Sequence, residues 1–160
     1  MFHIINDLKI IIKPEVFSDL KRYYYSSMKY ETGGILLGKF NRNNRVIEIV
    51  EVYELKTNFF SRILYRRNAR KAQKIINKRW LETDGVINYI GEWHTHPCMQ
   101  AIPSDTDIHS LKEIAAKVRD SLPGTLLIIV GKDEKINLIV QREDTIKMLL
   151  LSEEEMGSKL

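Results

Sequence analysis

The chain has 160 residues and a hydrophobic fraction of 44%, enough for one packed domain and too apolar for a disordered chain. Its single cysteine, Cys98, excludes an internal disulfide and a metal site built on several thiolates. The net charge of +4 hides an asymmetry: nine basic residues and no acid lie between Lys56 and Arg79, so that stretch carries +9 and the remainder −5. Such a stretch reads either as a solvated helix face or as a surface for an acidic partner or nucleic acid.

In chain order, residues 9–13 read as a strand. Pro14 suits the first turn of a helix, with Glu15 near its positive end. Val16, Phe17, Leu20, Tyr23, Tyr24 and Met28 recur at helical spacing and extend that helix to about residue 29. Gly33 and Gly34 punctuate the chain, and strands follow at 35–38 and 45–53 across an Asn41–Asn44 hairpin turn. Residues 56–65 read as a loop and 68–81 as a helix, from Ala72, Ile75, Ile76 and Trp80. A turn at Asp84 and Gly85 leads into a strand over 86–94, with Trp93 facing the core, and then a loop over 97–103. Ser104 suits the N-cap of a helix continued by Ile108, Leu111, Ile114 and Val118. Strands at 125–130 and 136–141 follow, then a last strand or helical turn at 146–151. The expected architecture is α/β: a mixed sheet with flanking helices, one domain over 1–152 and a flexible tail over 153–160.

No apolar run approaches the roughly 20 residues of a membrane span. The first six residues lack the pattern of a secretion signal. A cytoplasmic protein without membrane association is therefore expected.

His94 and His96 stand two apart at the end of a strand, so both imidazoles face one side. Asp107, eleven residues after His96, falls in the first turn of the next helix. Two imidazoles and one carboxylate, with a fourth position for water, suit one catalytic Zn²⁺. Glu92 shares the strand face if pairing is regular, as a partner of a ligand or a rival base. His109 reads as a helix residue beside the site, and Cys98 as a bystander.

The run His94-Thr95-His96-Pro97, then seven residues between His96 and Ser104, then two more before Asp107, resembles the JAMM motif of MPN (Mov34/PAD-1) domain metallopeptidases. That motif needs an upstream Glu at the start of a strand after the first helix, and Glu31 before Gly33-Gly34 fits it. The resemblance spans about residues 8–142 and implies an MPN, cytidine-deaminase-like fold. It also implies that His94, His96 and Asp107 bind zinc, that Glu31 is the general base, and that Ser104 donates to the oxyanion.

The segment Gly91–Pro97, with the basic stretch before it, is similar to small prokaryotic Mov34 proteins found with E1- and E2-like proteins, including in type II CBASS anti-phage operons. The implied substrate is a protein conjugate, of a CD-NTase or a ubiquitin-like protein, with an E1/E2-like protein from the same operon as a further partner. Residues 59–67 would then hold the substrate's tail by β-augmentation, with Phe59, Arg66 and Arg67 in contact. Two alternatives stay open: a RadC-like JAMM protein associated with nucleic acid, and a catalytically silent MPN scaffold. Against the first, Thr95 and Cys98-Met99 replace the Asn-containing loop of that branch; against the second, every ligand position is filled. A zinc deaminase is disfavoured because Pro97-Cys98 lacks the second cysteine.

Overall fold

The computed structural model describes residues 2–55 and 61–151, and for 61–68 the backbone alone. Among these, eight strands form one mixed sheet in the order β1-β2-β4-β3-β5-β6-β7-β8. The strands are β1 (Phe2–Ile5), β2 (Leu8–Ile12), β3 (Gly33–Asn41), β4 (Val46–Glu54), β5 (Asn88–Thr95), β6 (Thr125–Val130), β7 (Ile136–Arg142) and β8 (Thr145–Leu151). The helices are α1 (Pro14–Ser26), α2 (Ser61–Glu82) and α3 (Asp105–Val118). The pairs β2/β4 and β5/β6 are parallel, and the others antiparallel. The α/β expectation of a mixed sheet with flanking helices therefore holds.

The two faces of the sheet are covered differently. One packs against α1, through Val16, Phe17, Leu20 and Tyr24, over a buried apolar floor that includes Leu36, Ile49, Trp93 and Ile128. On the other face, α2 covers Ile35, Leu37, Leu55 and Ile87. On that face too, α3 covers Leu127, Ile129 and Ile139. The central strand β5 pairs with β3 on one side and β6 on the other, so it runs beneath the gap between α2 and α3.

Several sequence expectations shift. Residues 2–5 form an additional strand, turned back onto β2 by Asn6 and Asp7 at positive φ. The Asn6 amide donates to the carbonyls of Val140 and Thr145 and draws β1 toward the far end of the sheet. Helix α1 ends at Ser26, ahead of residue 29, and the last segment is strand β8. Helix α2 begins at Ser61, so the loop expected up to residue 65 is partly helix. No proline or glycine interrupts 61–68, and its Arg and Leu residues are good helix formers. Beyond its first turn a helix spends its backbone hydrogen bonds internally. β-augmentation through the later part of 61–67 is thus excluded. Phe59 lies outside the described residues, as do the side chains of Arg66 and Arg67 and the tail over 153–160.

Candidate active site

The site forms where the C-terminal end of β5 meets the N-terminus of α3. His94 pairs with Gly33 of β3 and with Ile129 of β6, which puts its side chain on the α2/α3 face. Gly33 is needed for close approach: a Cβ there would lie 2.6 Å from the Trp93 carbonyl oxygen and 2.9 Å from His94 Cβ. A side chain on residue 33 would push β3 away from the first histidine.

Asp107 is set by a capping box. The Ser104 hydroxyl accepts from the Asp107 N–H at 3.1 Å, and the Asp107 carboxylate accepts from the Ser104 N–H at 2.8 Å. The cap and the third corner of the cluster are therefore one structure. His94 Nε2 lies 3.2 Å from His96 Nε2 and 3.4 Å from Asp107 Oδ1, and His96 Nε2 lies 3.5 Å from Asp107 Oδ2.

Those three spacings test whether the residues fit a metal. A tetrahedral ion with bonds of about 2.0–2.1 Å sets its ligand atoms about 3.3 Å apart; the two imidazole nitrogens stand 3.2 Å apart, and one ligand atom from each of the three residues lies within 4.8 Å of the others. The tautomer also suits a ligand. His96 Nδ1 faces the Gln100 carbonyl at 3.2 Å, which can only accept, so a neutral ring that donates there leaves the Nε2 lone pair for a metal, in place of the hydrogen bond that Nε2 gives Asp107 when no metal is bound. His94, His96 and Asp107 together could hold a metal ion.

The electrostatics agree. Burial favours the neutral Asp107 acid, but hydrogen bonds with His94 and His96 outweigh it and hold the carboxyl far below the usual range. Asp107 in turn raises the pKa of His96 against the opposing effect of burial, and the charge of Glu31 adds to that rise. Glu31 is thus near enough to act on the cluster electrostatically. It is exposed and lies in the turn before β3 rather than on the strand. Its neighbour is tightly fixed: Thr32 N–H donates to Thr95 Oγ1 at 3.0 Å, Thr95 N–H to the Thr32 carbonyl at 2.8 Å, and the Thr32 hydroxyl to Glu54 at 2.6 Å.

Pairing along β5 is regular from Gly91 onward, so Glu92 shares the face of His94. A bulge at Ile90 also turns Tyr89 to that side, and the Tyr89 hydroxyl donates to Glu92 at 3.2 Å. Beyond Tyr89 the same gap opens into a mostly apolar hollow lined by Ile35, Leu55, Ile76, Tyr89 and Leu122. His109 points away from the cluster: its side chain is 74% exposed and pairs with Glu113 on α3. Cys98 is exposed, and Trp93 is buried in the α1-side core. Thr32, Thr95 and Gln100 were not singled out for any role by sequence. Gln100 contributes a backbone carbonyl, which leaves no trace in residue type, and the hydroxyls of Thr32 and Thr95 bond partners distant in the chain, which local spacing does not show.

Comparison with known proteins agrees with this picture. The family model of the prokaryotic homologues of the JAB domain matches residues 15–143. A Pseudomonas aeruginosa protein described as a CD-NTase/cGAS isopeptidase is 37% identical over 103 residues, 64% of this chain and 64% of that protein. Proteins with the same description are 32% identical in Enterobacter hormaechei, over 64% of this chain and 56% of that one, and 30% identical in Escherichia coli, over 86% and 80%. The chain thus spans somewhat under two thirds of the length of the first two. The solution structure of a Desulfitobacterium hafniense protein superposes with a TM-score of 0.60 at 18% identity, over 94% of this chain and 99% of that one, a likeness of fold. By the family match and the architecture, the chain belongs to the prokaryotic JAB-domain family, the JAMM/MPN fold.

Proposed function

We propose that this protein is a zinc-dependent metallo(iso)peptidase that cleaves the peptide or isopeptide bond after the C-terminal tail of a conjugated modifier. The modifier is of the CD-NTase or ubiquitin-like type, and the reaction reverses E1/E2-type conjugation in bacterial anti-phage defence. The observation that carries this reading is the cluster of His94, His96 and Asp107, whose ligand atoms lie close enough together to share one ion. The name borne by the relatives supports the substrate class. Among the described residues, no helix is long and apolar enough to cross a membrane, in keeping with action in the cytoplasm.

His94, His96 and Asp107 would hold the zinc. Two imidazoles and a carboxylate are the donor set of catalytic rather than structural zinc. When bound, zinc supplies a Lewis acid that polarises a carbonyl and brings the ionisation of water toward neutral pH. Glu31 takes the proton of the attacking water as its oxygen bonds to the scissile carbonyl carbon. As the C–N bond breaks, Glu31 delivers that proton to the leaving amine. Products are a carboxylate on the modifier tail and a free amine on the target. The Ser104 hydroxyl oxygen accepts from the Asp107 N–H, which leaves its O–H to donate to the developing oxyanion. Glu92, held by Tyr89, lies further along the gap and supports the site from there. The substrate tail lies along the α2/α3 gap, reaching the apolar hollow. Arg66 and Arg67 meet its acidic or carbonyl groups.

The test is incubation with a purified CD-NTase conjugate, with and without chelator, reading the cleavage point by mass. Chelator-sensitive release of an intact modifier is expected. Chelator-independent cleavage, or an Asp107→Ala variant that keeps both zinc and activity, would remove the reading.

A further inference from the structure

We propose that Tyr24 and Asn137 are positioning residues that clamp the loop after the second histidine from opposite sides of the sheet. The clamp fixes the ring of His96 for metal binding. This rests on the metal reading above. The ring of His96 is oriented by the Gln100 carbonyl, and that carbonyl belongs to a segment outside helix and strand. Cys98 within it has φ 58°, a left-handed conformation that a non-glycine residue keeps only when its surroundings enforce it.

Two buried side chains do so. Tyr24, on α1, accepts the Cys98 N–H at 3.2 Å. Asn137, on β7, donates from Nδ2 to the Ala101 carbonyl at 2.9 Å. One contact falls two residues before Gln100 and the other one residue after it. Tyr24 reaches the loop from the α1-side core. Asn137 reaches it from the opposite face, in the sheet row that runs through His94 and Ile129. Between them, Lys132 N–H donates to the Met99 carbonyl at 2.7 Å. Gly131 lets the loop sit close, since a Cβ there would stand 2.4 Å from the Ala101 nitrogen.

Asn137 is also out of place by packing rules. Its neighbours Ile136, Leu138, Ile139 and Val140 are buried and apolar, and its own Oδ1 is buried with no hydrogen-bond partner among the described residues. A half-satisfied amide in a core strand costs stability that leucine would not. The amide nitrogen donates to the Ala101 carbonyl and, at 4.0 Å, to Met148 Sδ.

Zinc affinity, measured by competition with a chromophoric chelator, should fall roughly tenfold in both Tyr24→Phe and Asn137→Leu, the low end of the effect of removing support behind a metal ligand. Tyr25→Phe removes a hydroxyl that bonds Glu134 and not the loop, and should leave affinity unchanged. Both variants should lose more affinity than their change in melting temperature accounts for, since a merely structural role would move the two together. Unchanged affinity in both variants, or losses that only track melting temperature, would overturn the proposal. A metal-free readout separates it from the zinc reading. In the zinc-free protein, amide hydrogen exchange at Lys132, whose N–H bonds the Met99 carbonyl in the loop, should quicken in both variants. Exchange unchanged in both overturns the clamp. A wild type that binds no zinc yet shows this difference from the variants sinks the metal reading and leaves the clamp standing.

Discussion

The two faces of the sheet divide the work of the molecule. On the α1 face, apolar burial is continuous from Ile5 on β1 to Leu151 on β8. On the opposite face it breaks into one cluster under α2 and another under α3. The break falls over β5, and it holds Glu92 and His94. One strand therefore serves both purposes by alternation, with Trp93 sent to the core and His94 to the gap. The contrast teaches that the site lies where the fold gives up apolar burial between two helices. Polar groups can remain there, partly hydrated and accessible to substrate.

Substitutions that strike one face alone test this division. Glu31→Gln carries the largest expected effect: a loss of about 10²–10⁴-fold in kcat, the range for removing a general base. Melting temperature and zinc content should not change, because Glu31 is exposed and outside both clusters. Full activity in this variant would move the base to Glu92. Trp93→Ala should do the reverse. It removes the ring stacked on Tyr23 and should cost about 3–5 kcal/mol in urea unfolding, while the folded fraction keeps its zinc. Loss of zinc without loss of stability would show that the two faces are not separable.

Ser104→Ala sharpens the comparison, since Ser104 belongs to both a helix and the site. Removing the cap should cost about 0.5–2 kcal/mol and loosen Asp107, so stability and zinc affinity should fall together. Ser104→Gly should cost only a few tenths of a kcal/mol, which separates the cap from any loss of oxyanion stabilisation in kcat.

The smallest effect concerns the attachment of α2. Arg79 and Tyr53 both donate to Glu51, which ties α2 to β4. Burial pushes the Glu51 carboxyl up, but these hydrogen bonds outweigh it and leave the pKa lowered. A lowered carboxylate pKa contributes stability that is fully present above the unfolded value of about 4.3 and disappears as pH falls through the lower folded value. The melting-temperature difference between wild type and Glu51→Gln should therefore be constant from pH 7 to about 5 and vanish in stronger acid. A gap that widened on acidification would contradict the assignment.

Much of the site was legible in the chain because its chemistry depends on residue type at fixed spacing. His94 and His96 alternate on a strand, and Ser104 and Asp107 form a helix start that any chain with those residues would favour. Period and branching likewise located the main strands and α1. The first turns of α2 were missed because the apolar spacing used to find the helix begins only at Ala72. Strand β1 was missed because it is a short edge element fixed by the bonds of Asn6 to the far end of the sheet.

Local propensity and spacing thus determined the elements, the candidate ligands and the family resemblance. Only the tertiary structure decided that β5 lies between the two helix-covered clusters, that Thr32 and Thr95 tie the segment before β3 to the end of β5, and that Tyr24 and Asn137 bracket Gln100. Those contacts join residues far apart in the chain, 63 positions for Thr32 and Thr95 and 74 for Tyr24 and Cys98. No local pattern encodes them, because a hydrogen bond between distant segments exists only once the sheet has brought their backbones together.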